Sequence, residues 1–318
     1  MAYLAGGTIQ ALDYNLLTWG GNTQVYNGTP DNLAEIWGTG NGPRGYGQDA
    51  SVLTTVSAGG TVTATQWSTF IQRLNLTLGH QSGAAGQLAT GSNIGITAGA
   101  TIAAFANVVT AVTTINTNAN LWSGQGSTTV GTPLYTTLTA ANYAAYTLVW
   151  TRTVTVASGD AARYFFNAGG QINWTFVPYS LNGTGRSNDV VTLMNNIGGG
   201  NIRSTQGNAK TGSGGTITTN TGRGYWALTS TNQLITQVAS TVATYTGDVA
   251  NVNVKTNGVQ GANGDVGSVI TLQFGYASAQ EGLDFNSAIS ANVGVRIDIV
   301  FPQTTYLSST AWGTPTIA

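Results

Sequence analysis

ARYFFNAGGQINWTF, residues 162–176, decides the fold of the second half of this chain. Ile172, Trp174 and Phe176 alternate with Gln171, Asn173 and Thr175, the two-residue repeat of a strand with one buried face. Ahead of it, Asn167-Ala168-Gly169-Gly170 reads as a tight turn, because glycine tolerates the positive φ that hairpin loops demand. Tyr164, Phe165 and Phe166 are then expected to form the strand entering a hairpin. On the residues alone, the motif is structural.

The same alternation recurs downstream, in Ile270, Leu272, Phe274 and Tyr276 and in Val293, Val295, Ile297, Ile299 and Phe301. Short strands separated by turn clusters predict a sandwich from Leu148 onward. One exception is Val190, Leu193, Met194 and Ile197, which keep helical spacing up to a stop at Gly198. The first half reads as helical. A short helix-start unit recurs there as Gln10-Ala11-Leu12-Asp13-Tyr14, Thr63-Ala64-Thr65-Gln66-Trp67 and Thr139-Ala140-Ala141-Asn142-Tyr143, with Ala-Gly-Gly-Thr ahead of two copies, at 5–8 and 58–61. The middle copy is a capping box, followed by a buried stripe of Trp67, Phe70, Ile71, Leu74 and Leu78. A further helix is expected over 101–116, with Ile102, Phe105, Val109, Val112 and Asn116 in a short heptad-like series, packed on its own domain. The fold class is α+β: a helix-containing region (1–147), a mainly antiparallel β-sandwich-like domain (148–305) and a C-terminal extension (306–318). The extension, Tyr306 to Ala318, is rich in Thr and Pro and is expected to lie against another subunit.

Composition narrows the function. Of 318 residues, 10 are Lys or Arg and 11 are Asp or Glu, and none of these falls between Leu74 and Thr151. A chain so poor in cations has no electrostatic grip on nucleic acid or on anionic membranes. Nor does it contain an apolar run long enough to span a bilayer, and no secretory leader is read at its start. With no cysteine, stability rests on packing and association. Gly-rich, charge-poor sequence that is also hydrophobic points to a large buried interface rather than to disorder.

The 162–176 segment resembles one in virion structural proteins of tailed bacteriophages, notably those of cyanobacteria. There an Arg-Tyr-Phe-Phe-Asn-x-Gly-Gly-x-Ile stretch precedes a short helix and a Gly-Tyr-[Tyr/Trp]-x-Leu-Thr strand. This chain carries Arg163, Tyr164, Phe165, Phe166, Asn167, Gly169, Gly170 and Ile172, then DVVTLMNNIG (189–198) and GYWALTSTNQLI (224–235). A weaker echo lies in GYGQ (45–48) and HQSG (80–83). The resemblance covers roughly residues 150–305. It implies a non-enzymatic virion component of the tail, neck or fibres, working as a homo-oligomer, trimer before hexamer, beside other phage structural proteins. Two other roles consistent with it are a receptor-binding head for host surface glycan and a capsid decoration protein.

No chemistry competes strongly with that expectation. His80, the single histidine, reads as a helix-end residue favoured by the helix dipole. Gly40-Asn41-Gly42-Pro43-Arg44-Gly45 spells a dinucleotide-binding pattern but lacks the strand before and the helix after. For glycoside hydrolysis the carboxylates are Asp160, Glu281, Asp284 and Asp298, the last expected to point outward beside Arg296. Asn257 to Gly267 could offer Asn263 and Asp265 to calcium, but turn-forming Asn-Gly explains the loop. No cofactor and no metal is expected. Trp19, Trp37, Trp122, Trp226 and Trp312 lie near Gly and Thr, where a sugar could stack; Trp226 and Trp312 are the candidate glycan contacts.

Overall fold

A computed structural model describes residues 9–19, 32–83, 105–140, 146–181, 185–258, 260, 266–278 and 289–318. Four helices come first: α1 (Ala11–Trp19), α2 (Leu33–Trp37), α3 (Ala64–Ser82) and α4 (Phe105–Thr117). The expected capping box opens α3, where Thr63 Oγ1 accepts from the Gln66 amide (3.2 Å) and Gln66 Oε1 accepts from the Thr63 amide (2.9 Å). Its stripe of Trp67, Phe70, Ile71, Leu74 and Leu78 is buried, with Tyr14 of α1 edge-on to Phe70. Gln10 and Thr61, beside the first two helix-start units, pair in an isolated antiparallel bridge. In α4 the buried face is Val108, Ala111, Val112, Ile115 and Asn116, while Val109 is only half-buried. Asn116 Nδ2 donates to the Val112 carbonyl of its own helix (2.8 Å), and α4 packs on α2 and α3 of the same chain.

Two antiparallel sheets of six strands each follow. The first contains β1 (Gln125–Val130), β2 (Leu134–Ala140), β4 (Gln171–Leu181), β5 (Gly199–Ile202), β6 (Gly207–Asn208) and β11 (Ile289–Pro302). The second is ordered β12 (Thr316–Ile317), β3 (Tyr146–Thr155), β10 (Val269–Ser278), β9 (Val249–Thr256), β8 (Gln233–Ala239), β7 (Thr216–Asn220). Both β1 and β2 lie along one side of β11, and β4 lies along the other. Trp174 and Phe176 of β4 meet Phe274 of β10 edge-on, at 5.9 and 5.4 Å between ring centroids, and Phe274 stacks on Trp150 of β3. The alternation read from sequence in β4, β10 and β11 is this shared apolar layer. Helix α6 (Gly185–Ile197) packs on strands of both sheets and stops at Gly198, whose φ is +71°.

Several expectations need correction. Tyr164, Phe165 and Phe166 are not in a strand: they belong to α5 (Gly159–Asn167), whose N-cap Ser158 accepts from the Ala161 amide (3.0 Å). All three rings are buried, and so are Arg163 and Asn167, so three aromatics in a row imitate a strand although Asp160, Arg163 and Asn167 mark one polar face at helical spacing. The turn is where it was expected, with Gly169 at φ +95° and an added Cβ there only 2.5 Å from the Trp122 ring. Tyr225–Ala227 form a 3-10 turn rather than a strand, because Tyr225 leaves the sheet to stack on Phe166 at 4.4 Å. The third helix-start unit fails: Thr139 and Ala140 pair with β11 as the end of β2, and 141–145 lie outside the described residues.

The C-terminal segment lies on its own chain. Thr316 and Ile317 pair with β3, and Leu307 and Trp312 are buried. Pairing at a sheet edge needs only two residues here, which the Thr and Pro content does not prevent.

Candidate functional site

The short helix α2 is opened by Asn32, whose Oδ1 accepts from the Glu35 amide (2.9 Å). The chain then doubles back, the amides of Tyr46, Gly47 and Gln48 donating to the carbonyls of Ile36, Gly38 and Trp37. Thr39 and residues 40–45, which spell the dinucleotide pattern, cross between these legs as a loop with carbonyls turned toward α5. Arg163 Nη1 donates to the carbonyls of Thr39 (2.8 Å), Gly40 (3.2 Å) and Arg44 (3.2 Å). Asn167 Nδ2 donates to those of Gly42 (3.2 Å), Arg44 (3.0 Å) and Gly45 (3.1 Å). Four residues apart on one helix, the two side chains share a face. The loop therefore presents acceptors to a cation, the reverse of the amide donors that a phosphate requires.

Arg163 is 2 % exposed, a cost met by an ion pair to Asp160 (3.0 Å) and by the Tyr164 ring 4.8 Å from its guanidinium carbon. Gly47 lies against the same tyrosine, and a Cβ there would come within 2.3 Å of the ring. Asn167 Oδ1 accepts from Trp226 Nε1 (3.2 Å). Tyr46 Oη donates to the Ala119 carbonyl (3.2 Å) and accepts from Gln81 Nε2 (3.0 Å), and burial pushes its phenol pKa up. Gln48 grips the backbone of Ser308, Nε2 donating to the carbonyl (3.0 Å) and Oε1 accepting from the amide (2.7 Å). Residues of GYGQ, the His80-Gln81 pair of HQSG, RYFFNAGG and GYW, dispersed in sequence, thus form one largely buried cluster joining helices, sheets and C-terminal segment.

His80 belongs to this cluster and sits at a helix end, as expected, but buried rather than open to solvent. It is fully buried in the last turn of α3, edge-on to Tyr46 at 4.9 Å, and burial pushes its imidazole down to about 4 against a smaller upward pull from the Ala168 backbone. Of the expected carboxylates, Asp160 is spent on Arg163, and Glu281 and Asp284 lie outside the described residues, as do Asn263 and Asp265. Asp298 is not open to solvent: the segment after β1 covers it, the Gly131 amide donating to it at 3.1 Å while Arg296 pairs at 3.0 Å. Among the described residues no three His, Cys, Asp or Glu side chains converge as a metal site.

The tryptophans divide by burial. Trp312 is 1 % exposed and cannot stack a sugar, and Trp226 is half-buried with its indole N–H committed to Asn167. Trp37 is buried too, but it floors a cleft of about 650 Å³ whose walls carry Asp49, Arg73, Tyr306, Ser308 and Thr310. Sequence reading passed over Arg73, which shows there only as a polar residue inside a helical stripe. A second polar cluster was also missed. Asp189 accepts from Ser240 Oγ, Asp248 accepts from Tyr276 Oη (2.7 Å), and Arg186 donates to Ser278 Oγ, all of them buried. Burial, with Asp248 adding and Ser240 opposing, pushes Asp189 up to about 6.

No protein-family model, curated protein or solved structure matches the chain.

Proposed function

We propose that this protein is a structural component of a tailed-phage virion, a homo-oligomeric tail, neck or fibre protein whose task is assembly. The observation that carries the reading is the convergence of the resembling segments. Arg163 and Asn167, the polar residues of the motif, spend their donors on the carbonyls of a loop from the other resembling stretch. Residues so committed hold a scaffold together; they offer no free donor or base to a substrate. A second support is the outer edge formed by β1 and β2, which contains no charged residue and exposes Val130, Leu134 and Tyr135. Charges and short edges are the usual guards against strand addition, and this edge lacks the charges. It suits a place in an assembly where neighbours cover it.

An antibody raised against the chain should label purified particles at a fixed position in negative-stain electron micrographs. Antigen confined to the soluble fraction of the lysate, with none on particles, would sink the reading.

A further inference from the structure

The cleft floored by Trp37 holds a cation that is paired with no carboxylate among the described residues. Arg73 projects from α3 with its guanidinium carbon 5.4 Å from the centre of the Trp37 ring. Its guanidinium makes no ion pair or hydrogen bond among the described residues, and its Nε is buried without an acceptor. Five other arginines are engaged: Arg163 and Arg296 with carboxylates, Arg203 with Gln171, Arg152 with carbonyls, Arg186 with Ser278; Arg223, like Arg73, has a buried Nε without an acceptor, but it does not line this cleft. Arg73 is distinguished by its place: half-buried in a cleft, its guanidinium against an indole and near the Asp49 carboxylate without pairing to it.

We propose that this cleft binds a saccharide unit bearing a carboxylate, with Arg73 as the anchor for that carboxylate. Its volume, about 650 Å³, is in the range of sites that take small ligands. Arg73 supplies the forked donor that suits a planar carboxylate. Asp49 selects against simple anions. Its carboxylate accepts from the Ser51 amide (2.9 Å) and hydroxyl (2.6 Å), and these bonds, with Arg73 adding a little, hold it below the usual carboxylate range. A sulfate would meet that negative charge and offer it no proton, whereas a sugar acid brings hydroxyl donors along with its carboxylate. Across the cleft, Tyr306 is fixed in advance: its ring lies on Gly79 of α3, where a Cβ would sit 2.8 Å from it, and its hydroxyl donates to the Gly83 carbonyl (3.3 Å). Ser308 and Thr310 add hydroxyls on an exposed rim. A rigid aromatic, a fork of donors and a hydroxyl rim are ready before the ligand arrives.

This site goes beyond the assembly role and stands or falls separately from it. The test is isothermal titration calorimetry of the full chain with trigalacturonate, its methyl ester and sodium sulfate. Trigalacturonate should bind, the ester about tenfold or more weaker, as the loss of a charge-assisted pair predicts, and sulfate not detectably. Arg73→Gln should abolish binding and Lys255→Gln, on β9, should leave it unchanged, with circular dichroism confirming that both fold. Thr310→Trp, which fills the cleft from an exposed position, should block binding even if Arg73→Gln fails to fold. The proposal is overturned if trigalacturonate does not bind the unmodified chain, if the ester or sulfate binds equally well, if folded Arg73→Gln binds as tightly, or if Thr310→Trp does.

Discussion

Arg163 and Asn167 share one acceptor: the carbonyl oxygen of Arg44 lies 3.2 Å from Nη1 of the first and 3.0 Å from Nδ2 of the second. That oxygen is the centre of the clamp, flanked by Thr39 and Gly40 on the arginine side and by Gly42 and Gly45 on the asparagine side. Backbone carbonyls turned inward need partners, and five here, from fully to partly buried, find theirs in two side chains of one helix.

Removing Asn167 takes the shared donor from the carbonyls of Gly42, Arg44 and Gly45, of which the last is buried and the other two partly so. Asn167→Ala should destabilise the fold by about 2–4 kcal/mol, and Asn167→Asp by more, since a carboxylate would face carbonyl oxygens. Because Arg163 reaches the same oxygen, the double variant Asn167→Ala, Arg163→Met should cost less than the sum of the two by about 1 kcal/mol. Urea denaturation measures all three, and strict additivity would remove the shared carbonyl from the explanation.

Gly47 is pinned twice, by a φ of +68° and by the Tyr164 ring 2.3 Å from where a Cβ would stand. Gly47→Ala should cost about 3 kcal/mol, combining left-handed strain with a clash in a packed core. Adding Tyr164→Leu should recover the steric part and leave the strain, read as a partial return of the denaturation midpoint.

Much of this was legible, for reasons that sort by physics. β4 and β10 were readable because each buries one face and shows the other, and α3 because a capping box and an apolar stripe agree. Helix α5 was not, since its three adjacent aromatics imitate a strand, although Ser158 two residues ahead of Asp160 is an ordinary helix-start signal that they overshadowed. Arg163 and Asn167, one helical turn apart, were in view as motif letters; their target, a Gly-rich loop about 120 residues earlier, carries no side-chain signal, because the acceptors are backbone carbonyls. The C-terminal segment misled for a similar reason: Gln48 holds Ser308 through its backbone.

The capping box of α3 is exposed, so its contribution is local. Thr63→Ala should lower stability by about 1 kcal/mol, and Thr63→Ser should lose little, because the hydroxyl that accepts from Gln66 is retained. Thermal unfolding followed at 222 nm separates the two; an equal loss in both would assign the effect to the Thr63 methyl group.

His80 and Asp189 should pull stability in opposite directions across mildly acidic pH. The imidazole, 6.5 when free, is held near 4 by burial, so the unfolded chain takes up its proton first. Its contribution is present above pH 6.5 and is lost as pH falls toward 4, by about 3 kcal/mol at one pKa unit per 1.36 kcal/mol. Asp189, 3.8 when free, is held near 6, chiefly by burial and further by Asp248. The folded state keeps a proton that the unfolded state releases, so this contribution is complete below pH 3.8 and is lost as pH rises through 6. Between pH 4 and 6 the two slopes oppose, and the unmodified protein should vary less there than either group alone would dictate. His80→Phe, which keeps a ring against Tyr46, should leave a profile that falls from pH 4 to 6; Asp189→Asn, which can still accept from Ser240, should leave one that rises from pH 4 to 6.5. Urea midpoints at four pH values across this span decide it, and two variants with parallel profiles would show that these buried groups do not set the acid response.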